Sequence, residues 1–335
     1  MQKILIIQTA FIGDVVLATG IAEKLYSFYP DAQIDFLLRN GNEGLLAGHP
    51  FINEVLIWDK KQDKYINLCR ILRKIRASKY DIVINLQRFA ASGFLTALSG
   101  ADKKYGFDKN PFSVFFTKSF PHIIGKKEDT NYTHEIDRNH ELIAGLTDNI
   151  PVNPKLYPSH TDFGHVQQYK SNPYITISPA SVWFTKQFPK EKWIELINNI
   201  PTRYSIYLLG GTGDFELCEE ILKSVNRQNI VTLAGTLNFL QTVALIRDAS
   251  MNYTNDSAPL HFASAMNAPV TAIFCSTIPE FGFGPLSTNS HIVQVEEILE
   301  CRPCGLHGFN ACPLGHFKCG YDINIEDLKI DGLKD

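Results

Sequence analysis

Short, uninterrupted apolar runs separated by longer stretches with helical spacing recur along the chain, and they constrain its fold more than any other feature. The first run is Ile4 to Ile7. A strand that is apolar at every position needs cover on both faces, as in a parallel sheet with helices on either side. Val15, Ala18, Ile21, Ala22, Leu25 and Phe28 follow at the spacing of one helical face, and Pro30 closes that element. Further strands are read at 33–38, 55–58 and 82–86, with a helix over 64–78. The rhythm restarts after residue 172. Strands are read at 174–178, 205–209, 230–233, 251–254 and 269–274, and helices at 190–199, 214–224, 240–248 and 258–266. This alternation, run twice, predicts an α/β chain with two Rossmann-like parallel-sheet domains facing a cleft. Pro151, Pro154, Pro158 and Pro173 punctuate a stretch of little periodicity. The expected division is a domain over 1–155, a linker over 156–172, and a domain over 173–335 that ends in a Cys-rich segment, 301–319.

Composition narrows the function. With 44% hydrophobic and 20% charged residues in 335, the chain can build two cores and is not a disordered tail. A net charge of −3 excludes nucleic-acid binding driven by bulk charge. The average hides a split: residues 1–155 hold 20 Lys/Arg against 17 Asp/Glu, and the remainder 12 against 18. The first apolar run is too short for a signal peptide, and no window reaches the roughly 18 apolar residues of a membrane span. The expected location is cytoplasmic, with any membrane contact peripheral. The seven cysteines are expected to stay reduced there.

In open α/β sheets ligands bind beyond the carboxyl ends of strands, so the loops there carry the chemistry. The first strand runs into Ile12-Gly13-Asp14. Gly13 permits a tight turn, and Asp14 suits either a functional carboxylate or a helix N-cap. No G-x-G-x-x-G is present, which disfavours dinucleotide binding by this half. Three loops stand out in the second half. Ser178 to Pro189 carries Ser181 and Lys186, a cation suited to a phosphate. Gly210-Gly211-Thr212-Gly213-Asp214 is either a plain turn or a ribose-binding loop in which Asp214 or Glu216 accepts hydroxyls. Asn255-Asp256-Ser257-Ala258-Pro259-Leu260-His261 opens a helix whose free N–H groups form an anion site, with His261 in its first turn.

These residues make the sequence resemble the ADP-heptose–lipopolysaccharide heptosyltransferases of glycosyltransferase family nine. The resemblance spans nearly the whole chain. It rests on Ile12-Gly13-Asp14, Asp81 to Gln87, Lys186-Gln187-Phe188-Pro189 with Trp193, Leu209-Gly210-Gly211, Asn255-Asp256-Ser257 with His261, Gly284-Pro285 and the Cys-rich close. It implies a GT-B fold, with acceptor on the N-terminal and nucleotide sugar on the C-terminal domain. It implies inverting transfer of heptose from ADP-L-glycero-β-D-manno-heptose to the lipopolysaccharide inner core. Asp14 then matches the general base, Lys186 the lysine on the donor phosphates, and Asp256, Ser257, Ala258 and His261 the pyrophosphate loop. Leu237 or Phe239 is placed for the adenine, and Gly13, Gln87, Arg88, His134 and Arg138 are assigned to the acceptor, lipid A–Kdo or inner-core lipopolysaccharide. No cofactor is required in this scheme. Ala258 stands where the family pattern usually has glycine, and Phe188 where it often has tryptophan. The alternatives are another nucleotide sugar as donor, or a non-catalytic nucleotide-sugar-binding subunit.

Two features remain. Cys301, Cys304, Cys312 and Cys319 have the look of a four-ligand structural zinc site, although only the first pair has the usual spacing; a disulfide or free thiols are the other readings. The basic run Lys60, Lys61, Lys64, Arg70, Arg73, Lys74, Arg76 and Lys79 is either a solvated helix face or a surface for phosphorylated lipid and the inner membrane.

Overall fold

The computed structural model describes residues 2–328. The chain divides into two compact units. One runs to Ile124 and resumes over Thr133–Tyr157; the other comprises Gly125–Tyr132 and everything from Pro158 on.

The first unit is built from β1 (Lys3–Ile7), α1 (Ile12–Phe28), β2 (Gln33–Arg39), β3 (Glu54–Trp58), α2 (Lys64–Ser78), β4 (Ile82–Asn85), α3 (Ala90–Ala97), β5 (Lys103–Phe107), β6 (Lys118–Phe120) and α4 (Glu135–Glu141). Its sheet has the order β3-β2-β1-β4-β5-β6, parallel throughout, with Ile4 of β1 level with Ile34 of β2 and Ile82 of β4. The second unit contains α5 (His160–Val166), β7 (Tyr174–Ser178), α6 (Lys190–Asn199), β8 (Ser205–Leu208), α7 (Phe215–Ser224), β9 (Ile230–Thr232), α8 (Phe239–Arg247), β10 (Met251–Asn255), α9 (Ala258–Met266), β11 (Val270–Phe274), β12 (Ser290–Gln294) and α10 (Lys318–Tyr321). Its order is β12-β11-β10-β7-β8-β9, again parallel. Strand order reverses between β1 and β4 in one unit and between β7 and β10 in the other, and these are the points where such sheets bind ligands.

One expectation changes. The spacing in α1 predicts one apolar face, but Val15 through Leu25 are all buried, including Thr19, Gly20, Glu23 and Lys24, while Phe28 is exposed. The second cover is the proline-punctuated stretch before Pro158. The Lys155 N–H donates to Thr19 Oγ1 at 3.0 Å, and the Tyr157 hydroxyl donates to Glu23 Oε1 at 2.8 Å. The stretch read as a linker over 156–172 carries a short capped helix and is tied to α8. Ser159 caps α5 reciprocally with Asp162. Lys170 donates to the Ala244 carbonyl at 3.0 Å and pairs with Asp248, tying the segment to α8. The end of the described chain belongs to the core of this unit: Phe317, Cys319, Ile323, Ile325 and Leu328 are buried among Ile175, Trp193, Ile206 and Tyr253.

Gly20 shows how tightly α1 is enclosed. A Cβ there would stand 2.5 Å from the Val152 carbonyl oxygen. In an open helix Gly→Ala gains up to about 1 kcal/mol. Here the clash outweighs that gain, and Gly20→Ala is expected to lower the urea-unfolding free energy by roughly 1–2 kcal/mol.

Candidate active site

In the first unit the carboxyl ends of β1 and β4 flank the switch point. Asp14 is the third residue of α1, and its Oδ2 accepts the Phe11 N–H at 3.1 Å. The carboxylate therefore caps the helix, and the helix N-terminus in turn favours its ionised form. Gly13 lies inside α1 with helical backbone, so it does not make the tight turn expected of it. Across the switch point, Gln87 is buried and its Oε1 accepts the Thr9 hydroxyl at 2.7 Å, which joins the loops after β1 and β4. Arg88 follows, half-buried.

Two cations at the carboxyl ends of β2 and β3 are not singled out as site residues by the sequence. Arg39 ends β2, with its guanidinium 4.9 Å from the Phe11 ring centroid. Lys60 lies just beyond β3; its Nζ donates to the Thr9 carbonyl at 2.6 Å and stands 4.7 Å from the Trp58 ring centroid. Burial, aided by Arg39 and Lys64, pushes the Lys60 ammonium down to about 8. Burial also lowers Arg39, and Asp14 opposes that shift. Lys60, Arg39, Asp14 and Arg88 thus follow β3, β2, β1 and β4 in sheet order along one edge. Crowded, partly desolvated cations suit an anionic ligand. Lys60 belongs to this edge and not to the solvated face of α2, and its place two residues past a strand end was the available signal.

His134 and Arg138 lie on and at the start of α4, where an irregular stretch was expected. His134 is its N-cap, and its Nδ1 accepts the Ile136 N–H at 3.2 Å. Arg138 is 1% exposed. It donates to Glu135 Oε2 through Nε at 2.8 Å and to the carbonyls of Thr133 (2.5 Å) and Ile123 (3.2 Å). Burial raises Glu135 to about 7; Arg138 opposes that and Asp14 adds to it. His122 Nε2 is 3.9 Å from the same Glu135 oxygen. Burial, with Arg88, Arg138 and Lys109, drops His122 to about 3, so the ring is neutral and not an ion-pair partner.

The second unit brings its expected donor residues together more closely. Lys186 comes from the loop after β7 and Asp256 from the loop after β10, the two strands at the switch point. Lys186 Nζ and Asp256 Oδ2 are 2.6 Å apart. Asn255 holds the two loops in register: its Oδ1 accepts the Phe188 N–H at 2.8 Å and its Nδ2 donates to the Pro179 carbonyl at 2.8 Å. Ser257 is the N-cap of α9 and uses no side-chain cap bond; Ala258 and Pro259 occupy its first turn, followed by buried His261. The Ser181 carbonyl accepts the Gln187 side-chain amide at 2.7 Å. Asp214 Oδ2 accepts the Gly211 N–H at 2.8 Å, and a Cβ at Gly210 would stand 2.7 Å from Asp214 Cβ, so this glycine loop is a tight turn in its own right. Glu216 is exposed in the first turn of α7. Leu237 is half-buried, and neighbouring Phe239 meets Phe262 of α9 edge-on at 6.3 Å.

The four cysteines line one cavity of about 330 Å³ with His316, Phe309 and Thr185. Among the described residues no three His, Cys, Asp or Glu side chains are arranged to hold a metal ion. Of the three readings of Cys301, Cys304, Cys312 and Cys319, a zinc site, a disulfide or free thiols, the arrangement among the described residues has the thiols free. The Cys304 thiol donates to the Cys301 carbonyl at 3.4 Å, Cys312 Sγ accepts the Phe317 N–H at 3.4 Å, and burial pushes Cys319 up to about 12. All four are free thiols.

The neutral state of His122 has a measurable consequence. Its folded pKa lies below the ordinary value, so its contribution to stability is present above pH 6.5 and is lost as pH falls toward 3. Glu135, raised, works in the opposite sense and loses its contribution as pH rises through 7. His122→Asn isolates the first effect. Between neutral pH and about pH 4.5, wild-type unfolding free energy should fall about 2 kcal/mol further than that of the variant. Equal pH slopes in urea titrations would reject the assignment.

The family model for glycosyltransferase family 9 (heptosyltransferase) matches residues 68–307. A lipopolysaccharide heptosyltransferase 3 of Escherichia coli is 29% identical over 281 residues, covering 80% of this chain and 82% of the relative. The solved structure of E. coli ADP-heptose lps heptosyltransferase II has a TM-score of 0.77 at 22% identity, over 98% of this chain and 96% of that one. E. coli heptosyltransferase WaaC with ADP-2-deoxy-2-fluoro heptose has a TM-score of 0.67 at 19% identity, over 88% and 93%. The two solved structures share the fold of this chain.

Proposed function

The chain belongs to glycosyltransferase family 9, a family of sugar-transferring enzymes, and from that premise we propose that it moves heptose from an ADP-heptose donor to a sugar hydroxyl of the lipopolysaccharide inner core. The observation that carries the reading is the Lys186–Asp256 pair at the head of α9, where a cation and the positive end of a helix meet at a sheet switch point. A nucleoside diphosphate is the ligand such a place suits. The relatives named for ADP-heptose supply the identity of nucleotide and sugar.

In the proposed reaction the acceptor hydroxyl oxygen attacks the anomeric carbon of the heptose. Asp14 takes the hydroxyl proton, the bond from the anomeric carbon to the β-phosphate oxygen breaks, and ADP leaves with that electron pair. Attack opposite the leaving group inverts the anomeric centre. The charge gathering on ADP is met by Lys186, the first turn of α9 and His261. Ser181, Gly210, Gly211, Asp214, Glu216 and Leu237 complete the donor side in this reading. Gln87, Arg88 and the α4 pair serve the acceptor side, with Arg39 and Lys60 attracting its anionic groups. Arg138, enclosed by protein partners, acts by fixing α4 and not by direct contact.

Among the described residues no helix is long and apolar enough to cross a membrane. We place the enzyme at the cytoplasmic membrane face as a peripheral protein. Tyr65 and Ile66 stand exposed at the head of α2, and Lys61, Lys64 and Arg70 lie exposed around them, a pairing that suits an anionic lipid surface. Binding to acceptor-bearing anionic vesicles should therefore weaken as salt rises, as a co-sedimentation series would show.

The central test is Asp14→Asn. It should lower kcat by roughly 10²–10⁴ while ADP affinity stays at the wild-type level. Retained turnover would reject Asp14 as the base. In parallel, ADP should protect the protein against thermal unfolding more than UDP or GDP does; the reverse order would assign a different nucleotide sugar.

A further inference from the structure

We propose that the first part of the Cys-rich segment, residues 301–309, positions the Lys186–Asp256 pair for the donor diphosphate, acting through Thr185 and Thr277. The inference rests on the donor role given to that pair above.

The segment reaches the pair by two routes. The first ends on Thr185, buried and next to Lys186. The Thr185 N–H donates to the Phe309 carbonyl at 3.1 Å. In return the Phe309 N–H donates to Thr185 Oγ1 at 2.8 Å, and the Ser276 hydroxyl donates to that same oxygen at 3.0 Å. Gly308 makes the approach possible. Its φ is +80°, and a Cβ there would stand 2.8 Å from Thr185 Oγ1 and 3.1 Å from Lys186 Cγ.

The second route ends on Asp256. Arg302 is buried, and its guanidinium binds the loop after β11: Nε donates to the Cys275 carbonyl at 2.7 Å, and Nη2 to the Thr277 carbonyl at 2.7 Å. The Cys304 N–H donates to the Ser276 carbonyl at 2.8 Å. Thr277, fixed in this way, donates its hydroxyl to Asp256 Oδ2 at 2.7 Å, the same oxygen that faces Lys186 Nζ. Lys186 is thus braced through its neighbour Thr185 and Asp256 through Thr277, and the same nine-residue stretch holds both threonines.

A lysine is a flexible point charge, and its attraction for a diphosphate depends on where it is held before the ligand arrives. Thr185 and Thr277 are positioning residues in this sense, because each hydroxyl acts on a neighbour of the ligand and not on the ligand itself. Valine keeps their shape and removes the hydroxyl, while serine keeps the hydroxyl.

The experiment compares Thr185→Val, Thr277→Val, Thr185→Ser and Thr277→Ser with wild type in the full chain. Each valine variant should raise the ADP Kd and the KM for ADP-heptose about tenfold, leaving acceptor KM and kcat near wild type. The serine variants should restore affinity. Independently of any nucleotide, acylation of Lys186 by an amine-reactive ester, followed by peptide mass spectrometry, should rise several-fold in the valine variants. Valine variants with wild-type ADP affinity and unchanged Lys186 labelling overturn the proposal, even where their Tm has dropped. A wild type that binds no ADP overturns the donor reading alone, and the labelling then decides the positioning role.

Discussion

A central parallel strand has no exposed face, and the architecture of this chain follows from that constraint. Ile4 through Ile7, and Tyr174 through Ser178, are buried on both sides of their sheets. Covering both faces requires a crossover element after nearly every strand, and the crossovers leave every strand pointing the same way. All carboxyl ends then lie on one edge of each sheet. Where the order reverses, two loops diverge and leave room for a ligand. Asp14 and Gln87 follow the strands at one such point, and Lys186 and Asp256 those at the other.

The elements that the sequence made legible are those whose pattern reports a single environment. Helices α2, α6 and α9 run over the spans that their spacing predicts. The elements not read as strands are edge or near-edge strands with mixed surroundings. β5 begins Lys103-Lys104, β6 carries Lys118-Ser119, and β12 begins Ser290-His291, so none shows an apolar run. Helix α1 misleads in the opposite direction. Its Glu23 and Lys24 look solvent-facing, yet Tyr157 and Asp148, far along the chain, bury them. Strand β10 is central yet reads Met-Asn-Tyr-Thr-Asn, because Asn252 and Asn255 are buried as pins between strands and loops.

The candidate site divides along the same line. Asp14, Lys186 and Asp256 are visible because position after a strand is a local signal. Glu135, Thr277 and Arg302 are not, because their surroundings come from contacts distant in sequence. Glu135 illustrates the point. Its neighbours in sequence, Asp137 and Arg138, are ordinary for a helix start; burial, with Asp14 adding and Arg138 and Arg88 opposing, raises its carboxyl to about 7. Charge shows the same contrast between average and site. Residues 156–335 carry six more acidic than basic groups, yet the proposed donor loop presents Lys186 and a helix N-terminus. A local arrangement within a few ångströms outweighs a diffuse net charge that salt screens over about 8 Å.

The C-terminal stretch is where packing and chemistry become one argument. Phe317, Ile323, Ile325 and Leu328 are anchored in the core beneath β7, β8 and β10, and the Tyr253 hydroxyl donates to the Leu328 carbonyl at 3.1 Å. An anchor of that kind fixes the far end of the Cys-rich segment. Its near end is fixed by buried Arg302, which donates to the Phe274, Cys275 and Thr277 carbonyls. Between two fixed ends, Gly308 and Phe309 have one place to go, against Thr185 and the stem of Lys186.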